Sequence, residues 1–374
     1  GLLTTGRAPR CDGSLVYRQA PSPADKAADI RGDLVFESKV TGSTDRIVLS
    51  GYTLRPDETR SGTRLTGAAS VQLGLRRNFD AVISGGVFAL PPRDAKEDAN
   101  TQPYEVVRLL SELPAPAIPP LPGRIGLDLA EIGLRGLTLR NVRLDANTDG
   151  QAWQVEQFSA QLPGQTQLRG SGTLAREGKQ PEFRGEMSLQ TKQLNALASL
   201  WRQQPQGSPL LNQPASLTGR VLLGGDAFGF SNGTLQLAGH SHAVELRLGY
   251  GDEKRLDLVG HFDVLGEQGS TMLGALLPNA AADPNFAVSF PAGSFALSGL
   301  QAEVMGQSGR KLVAEGQWTG RDLSFTRLAA DDWGGVGFDT ALEIKGGEGS
   351  PVISGSGQVQ VPSAAAPALA ALYD

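Results

Sequence analysis

Apolar and polar residues alternate along most of the chain, most clearly between Leu121 and Leu162. Leu127 and Leu129 share one parity, and Ile132 and Leu134 share the other. Leu137 pairs with Leu139, Val142 with Leu144, Trp153 with Val155, and Phe158 with Ala160 and Leu162. Side chains on a strand alternate faces, so each set marks one apolar face. The changes of parity mark slips, which we place at turns. Asn141, Asn147-Thr148, Asp149-Gly150, Pro163-Gly164 and Glu177-Gly178 supply turn chemistry. The pattern predicts a meander of short antiparallel strands with one wet and one apolar face. It ends in a helix over Lys192–Gln203, where Leu194, Leu197, Ala198 and Trp201 fall at helical spacing.

The same alternation runs on either side, from Leu34 and Phe36 to Leu90 and from Leu217 to Val361. Further helices are predicted over Pro103–Leu113, over Ser270–Leu277 and in the Ala-rich end, Ser363–Tyr373. The Pro-dense tract Leu113–Gly123 marks an internal boundary. Four Gly-led strands, starting at Gly86, Gly185, Gly260 and Gly357, each lead towards a helical segment. Their spacing suggests a repeated meander-plus-helix unit. It divides the chain into residues 1–115, 116–205, 206–283 and 284–374, joined as one continuous elongated sheet. Short hairpins favour a long antiparallel meander that curls into an open β-groove, with no parallel βαβ unit. The alternative on the residues is half of a closed β-sandwich core.

Composition removes several function classes. The net charge is −5 with both signs scattered, so no electrostatic footprint for nucleic acid exists. The single cysteine, Cys11, excludes an intramolecular disulfide framework and a multi-Cys metal site. No apolar run reaches the length of about 20 residues that spans a bilayer. The opening residues form neither a signal peptide nor an initiator Met, so we expect a piece of a longer protein with any anchor outside it.

Three places offer chemistry. His240 and His242, with His261 further on, are the candidate metal ligands, against a plain hairpin tip. Ser308-Gly-Arg-Lys311 matches S-x-x-K, but it sits at a Gly-flanked hairpin without companion motifs. Asp331-Asp332 offers paired carboxylates, but neighbours on a strand face opposite ways. Nothing assembles a nucleophile, a base and an orienting group. We therefore expect a protein that is not an enzyme, with no cofactor and no metal.

The run GLTLRNVRLDANTDGQAWQVEQFSAQLPGQTQLRGSGTL at Gly136–Leu174, followed by FRGEMSLQTKQLNALASLW at Phe183–Trp201, resembles the AsmA-like family of bacterial envelope proteins. That resemblance implies a periplasmic β-groove, anchored in the inner membrane, that conducts phospholipid acyl chains and serves outer-membrane assembly. It favours the groove over the sandwich. The groove candidates are Leu127, Leu129, Leu137, Leu139, Val142, Leu144, Val155, Phe158, Leu168 and Leu174. The competing class is a periplasmic β-scaffold whose apolar faces are all core. A glycan-binding solenoid is weaker, since it wants a ladder of exposed aromatics and the chain has four Trp and five Tyr.

Overall fold

The computed structural model describes residues 2–4, 9–19, 34–56, 64–89, 117–134, 137–177, 180–200, 212–277, 290–320, 322–346, 351–362 and 367. Period-2 patterning makes strands of nearly all of them. The fold is mainly β, a long antiparallel meander that is not closed into a barrel. The chain divides into two compact units, Gly1–Tyr104 with Leu113–Gly185, and Glu105–Glu112 with Glu186–Asp374.

In the first unit the strands are β1 (Leu2–Thr4), β2 (Arg10–Gln19), β3 (Leu34–Ser43), β4 (Arg46–Pro56), β5 (Leu65–Gln72), β6 (Asn78–Ala89), β7 (Gly123–Leu134), β8 (Leu137–Thr148), β9 (Ala152–Leu162) and β10 (Thr166–Glu177). β11 (Gln180–Thr191) runs across the division. The second unit holds helix α1 (Leu194–Ala198), β12 (Ala215–Leu223), β13 (Ala227–Leu237), β14 (His240–Gly249) and β15 (Arg255–Leu265). Helix α2 (Glu267–Leu276) follows, then β16 (Ala292–Val304), β17 (Gln307–Thr319), β18 (Asp322–Trp333), β19 (Val336–Lys345) and β20 (Val352–Gln360). In both units, the described ladders join strands that are consecutive in the chain.

Tight turns set the register. The β13–β14 turn is Ala238-Gly239 (φ 48° and 83°), the β16–β17 turn Met305-Gly306 (52° and 72°) and the β18–β19 turn Gly334-Gly335 (53° and 87°). Two left-handed residues twist the hairpin in the sense the strands require.

The expectation of no parallel βαβ unit is corrected at two places. β6 pairs parallel with β7, from Phe79↔Gly123 to Ala89↔Gly133. β15 pairs parallel with β16, from Arg255↔Ala292 to Leu265↔Ala302, with α2 in the crossover. A parallel neighbour needs a connection of a dozen residues or more, which a hairpin cannot supply. The two crossovers are built alike. Each incoming strand has a glycine within its first two residues, Gly123 or Gly293, whose missing side chain admits an aromatic ring, Phe79 or Trp318. An indole N–H then holds the entering chain: Trp153 Nε1 donates to Ala117 O and Trp318 Nε1 to Phe290 O, both at 3.0 Å.

Trp318→Phe removes the pyrrole ring with its N–H and so deletes this bond to the Phe290 carbonyl. We expect a loss of about 1–2 kcal/mol in urea unfolding of the second unit, and a loss below a few tenths would show the bond to be idle.

The helices are shorter than expected or shifted. α1 covers Leu194–Ala198 within the predicted Lys192–Gln203 and buries Leu194, Leu197 and Ala198. α2 begins three residues before the predicted Ser270, directly after β15, and buries Gly269 and Met272. The expected helices at Pro103–Leu113 and Ser363–Tyr373, and Trp201 with them, lie outside the described residues, apart from Pro367, which is helical.

Candidate functional site: a continuous apolar face

Three of the slips in the sequence pattern fall inside strands and not at turns: Leu129 to Ile132 in β7, Leu139 to Val142 in β8 and Val155 to Phe158 in β9. β7 and β8 keep one register throughout, with Leu127↔Leu144, Leu129↔Val142, Ile132↔Leu139 and Leu134↔Leu137. Parity therefore changes in both strands at the same level. On β8 the extra residue is Asn141, held at φ 48°, and the β8–β9 ladder shifts there. On β9 the shift falls between Val155 and Gln157. A bulge adds one residue and so returns the following apolar side chains to the face they would otherwise leave.

All ten predicted groove residues come to one face of β7–β10. Leu144 opposes Phe158, Phe158 opposes Gly170, Leu168 opposes Ala160, and Leu174 opposes Trp153. Leu137 joins them opposite Leu134, and Val155 lies between Ala146 and Gly172. Leu129, Leu137 and Val142 are buried, and the other seven are half-buried. Leu129, Val142 and Ala160 form a core with Leu65, Phe88, Leu127, Ile132, Leu139 and Phe158 packed around it. Following the register towards β2 extends the face through Ile83, Leu65, Leu54 and Phe36 to Tyr17. Tyr52 reaches from β4 over Gly67 of β5 and donates to Val82 O on β6 at 3.0 Å.

The opposite face is polar. Arg140 faces Glu131 at 3.6 Å, Arg143 meets Asp145 at 3.2 Å, and Asn147 Nδ2 donates to Glu156 Oε1 at 2.6 Å. These exposed pairs contribute little energy each, but they keep that face wet.

The second unit repeats the division of faces. Its apolar side runs Phe230, Leu246, Leu258, Phe295, Gly316, Phe325, Leu342 and Gly355 across β13–β20. Phe295 stacks on Trp318 and meets Phe325 edge-on. Leu248, Tyr250 and Leu256 make one core. The Tyr250 hydroxyl donates to Gly224 O at 2.6 Å, and burial, then the Asp226 charge, push its phenol up to about 12. Phe262, Leu265 and Ala302 make another, on which Leu273 of α2 packs, so α2 covers this end of the face. At β20 the face is bare: Ile353 is 64% and Val359 62% exposed. At β2 in the first unit Tyr17 is 57% exposed.

The catalytic and metal candidates dissolve into structure. His240 and His242 share a face of β14, their rings 6.5 Å apart. His261 opposes Ala243, on the other face, and its Nδ1 bonds Ser298 Oγ at 2.8 Å. No group of three metal-ligating side chains exists among the described residues. Ser308 and Lys311 lie within β17, not at a helix start. Lys311 sits at φ 49° and pairs with Asp331 at 2.7 Å, and Asp332 pairs with Arg310 at 3.0 Å. Cys11 is exposed. No helix among the described residues is long and apolar enough to cross a membrane.

No family model, curated protein or solved structure matches the chain.

Proposed function

We propose that the apolar face is a groove for phospholipid acyl chains and that the chain is a non-enzymatic carrier segment of the bacterial periplasm. The observation that carries this is the continuity of the apolar face within each unit. In the first unit the bulge at Asn141, at positive φ, restores apolar side chains to one side of the sheet where a strict alternation would lose them. A fold that only needed a core could confine its apolar residues to a few strands. Here they persist to strands whose outer side chains stand in solvent, as at Ile353 and Val359. Large bare apolar surfaces mark binding sites.

A uniform aliphatic lining suits transfer rather than capture. Each buried CH₂ gains about 0.8 kcal/mol, and the gain is nearly the same at each step along Leu, Val and Ala side chains. An acyl chain then moves without leaving a deep well. The two crossovers, built alike around Gly123 and Gly293, support reading the chain as repeated meander-plus-helix units. The competing scaffold draws on the deep burial of Val142 at 1% and on α2 covering Phe262.

Native mass spectrometry of protein expressed to the envelope separates the two. Co-purified phospholipid is expected. Protein that emerges free of lipid, and takes up none from phosphatidylethanolamine–phosphatidylglycerol vesicles, would leave the scaffold.

A further inference from the structure

His242 is a buried polar side chain on the apolar face of the second unit. It lies on β14 opposite Leu235, in line with Val244, Leu246 and Leu248. It is 2% exposed, and its Nε2 has no hydrogen-bond partner. Its ring packs on Phe262 at 5.3 Å between centroids. Phe262 is also the core residue against which Leu273 of α2 packs, and Met272 beside it is fully buried. The one bond the ring makes is weak: the Asp263 backbone N–H donates to Nδ1 at 3.4 Å. Nδ1 is therefore the acceptor, and the neutral ring carries its proton on Nε2, aimed at no partner.

We infer that His242 is a proton-operated catch for α2: protonating its ring loosens the helix from Phe262 and uncovers the stretch of apolar face beneath it. As the opening of a groove for acyl chains, this rests on the function proposed above. Protonation takes away the Nδ1 lone pair that accepts from Asp263 and places a full charge among Phe262, Leu235 and Val244. Burial, then His240, push the His242 ring below its ordinary value, and Asp263 pulls it back in part. The neighbouring elements offer little else to hold the charge. β13 and α1 carry no titratable group, and α2 carries only Glu267, exposed in its first turn. With a folded value below the unfolded one, the neutral ring's contribution is complete above the unfolded value of about 6.5. It is lost as pH falls through the folded value. Acidification is thus the direction that releases α2.

The test is hydrogen exchange of the α2 amides in lipid-free protein, corrected for intrinsic rates, from about pH 7.5 to about pH 5. Protection of α2 is expected to fall at least about tenfold on acidification, while β7–β9 stay protected. His242→Phe keeps the ring and removes the titration, so its α2 protection should be flat with pH. His240→Gln should keep the fall. Should His242→Phe not fold, His242→Gln retains an acceptor for Asp263 and should also be flat. Histidine ring NMR on the natural protein gives a second measure: the His242 titration midpoint should coincide with the loss of α2 protection. A wild-type profile without the fall, or the same fall in the His242 variants, overturns the catch. Fluorescent phospholipid uptake from the same vesicles keeps the two ideas apart. An operating catch with no uptake at any pH sinks the groove alone. Uptake equal at both pH values with α2 protected throughout sinks the catch alone.

Discussion

Leu139→Asp combined with Leu144→Asp is expected to leave the β-sheet circular dichroism in place and to abolish phospholipid co-purification. Both residues are half-buried and flank Val142 on the apolar face of β8. Leu139 opposes Ile132, and Leu144 lies between Leu127 and Phe158. In a groove, water or a head group reaches the new carboxylates, and chains cannot pass two charges a few residues apart. In a closed core the same pair is stranded without partners, which costs about 3–5 kcal/mol for each uncompensated charge and unfolds the unit. Val142→Asp is the internal reference. At 1% exposure no solvent reaches it, so that variant should lose the first unit's cooperative transition under either function. Collapse of the Leu139/Leu144 variant would favour the scaffold. Survival with lipid still bound would remove these positions from the path.

How much of this was written in the sequence differs between faces, slips and directions. The face was fully legible, because period-2 alternation in residues such as Leu127, Leu129, Leu144 and Phe158 has only one physical meaning on a strand. The slips were visible too but were assigned to turns. Asn141 is a turn former by type, and only pairing shows that it sits as a bulge inside a twelve-residue strand. Strand direction left a fainter trace. Alternation is the same for parallel and antiparallel neighbours, so β6 and β7 could not declare their sense by pattern. The signal lay in the connections, which run from Ala89 to Gly123 and from Leu265 to Ala292, far longer than any hairpin needs. In the second connection the described helix α2 belongs to the crossover itself. The catch at His242 was half legible. Alternate residues on a strand share a face, which puts His240 and His242 together. The register that sends His261 to the other side, and the aromatic packing that hides His242, needed the fold.

Gly293→Val is expected to be strongly destabilising to the second unit. Gly293 is the second residue of β16, opposite Leu256 on the parallel side and Trp318 on the antiparallel side. A Cβ there would run into the Leu256 carbonyl oxygen and into the six-membered ring of Trp318. The carbonyl is strand backbone and cannot turn aside. The indole cannot move without breaking its bond to Phe290 O and its stacking on Phe295. Overpacking of this kind costs about 1–3 kcal/mol when side chains can yield, and more when backbone must. We therefore expect a loss above about 3 kcal/mol by urea unfolding, with the Trp318 fluorescence change moving to lower denaturant. Gly306, at the turn after β16, gives the contrast. A Cβ there meets nothing within 4 Å, and only its φ of 72° resists substitution, so Gly306→Asn should cost well under half as much. Equal losses at the two sites would mean that glycine's backbone freedom, rather than the space it leaves for Trp318, holds the crossover together.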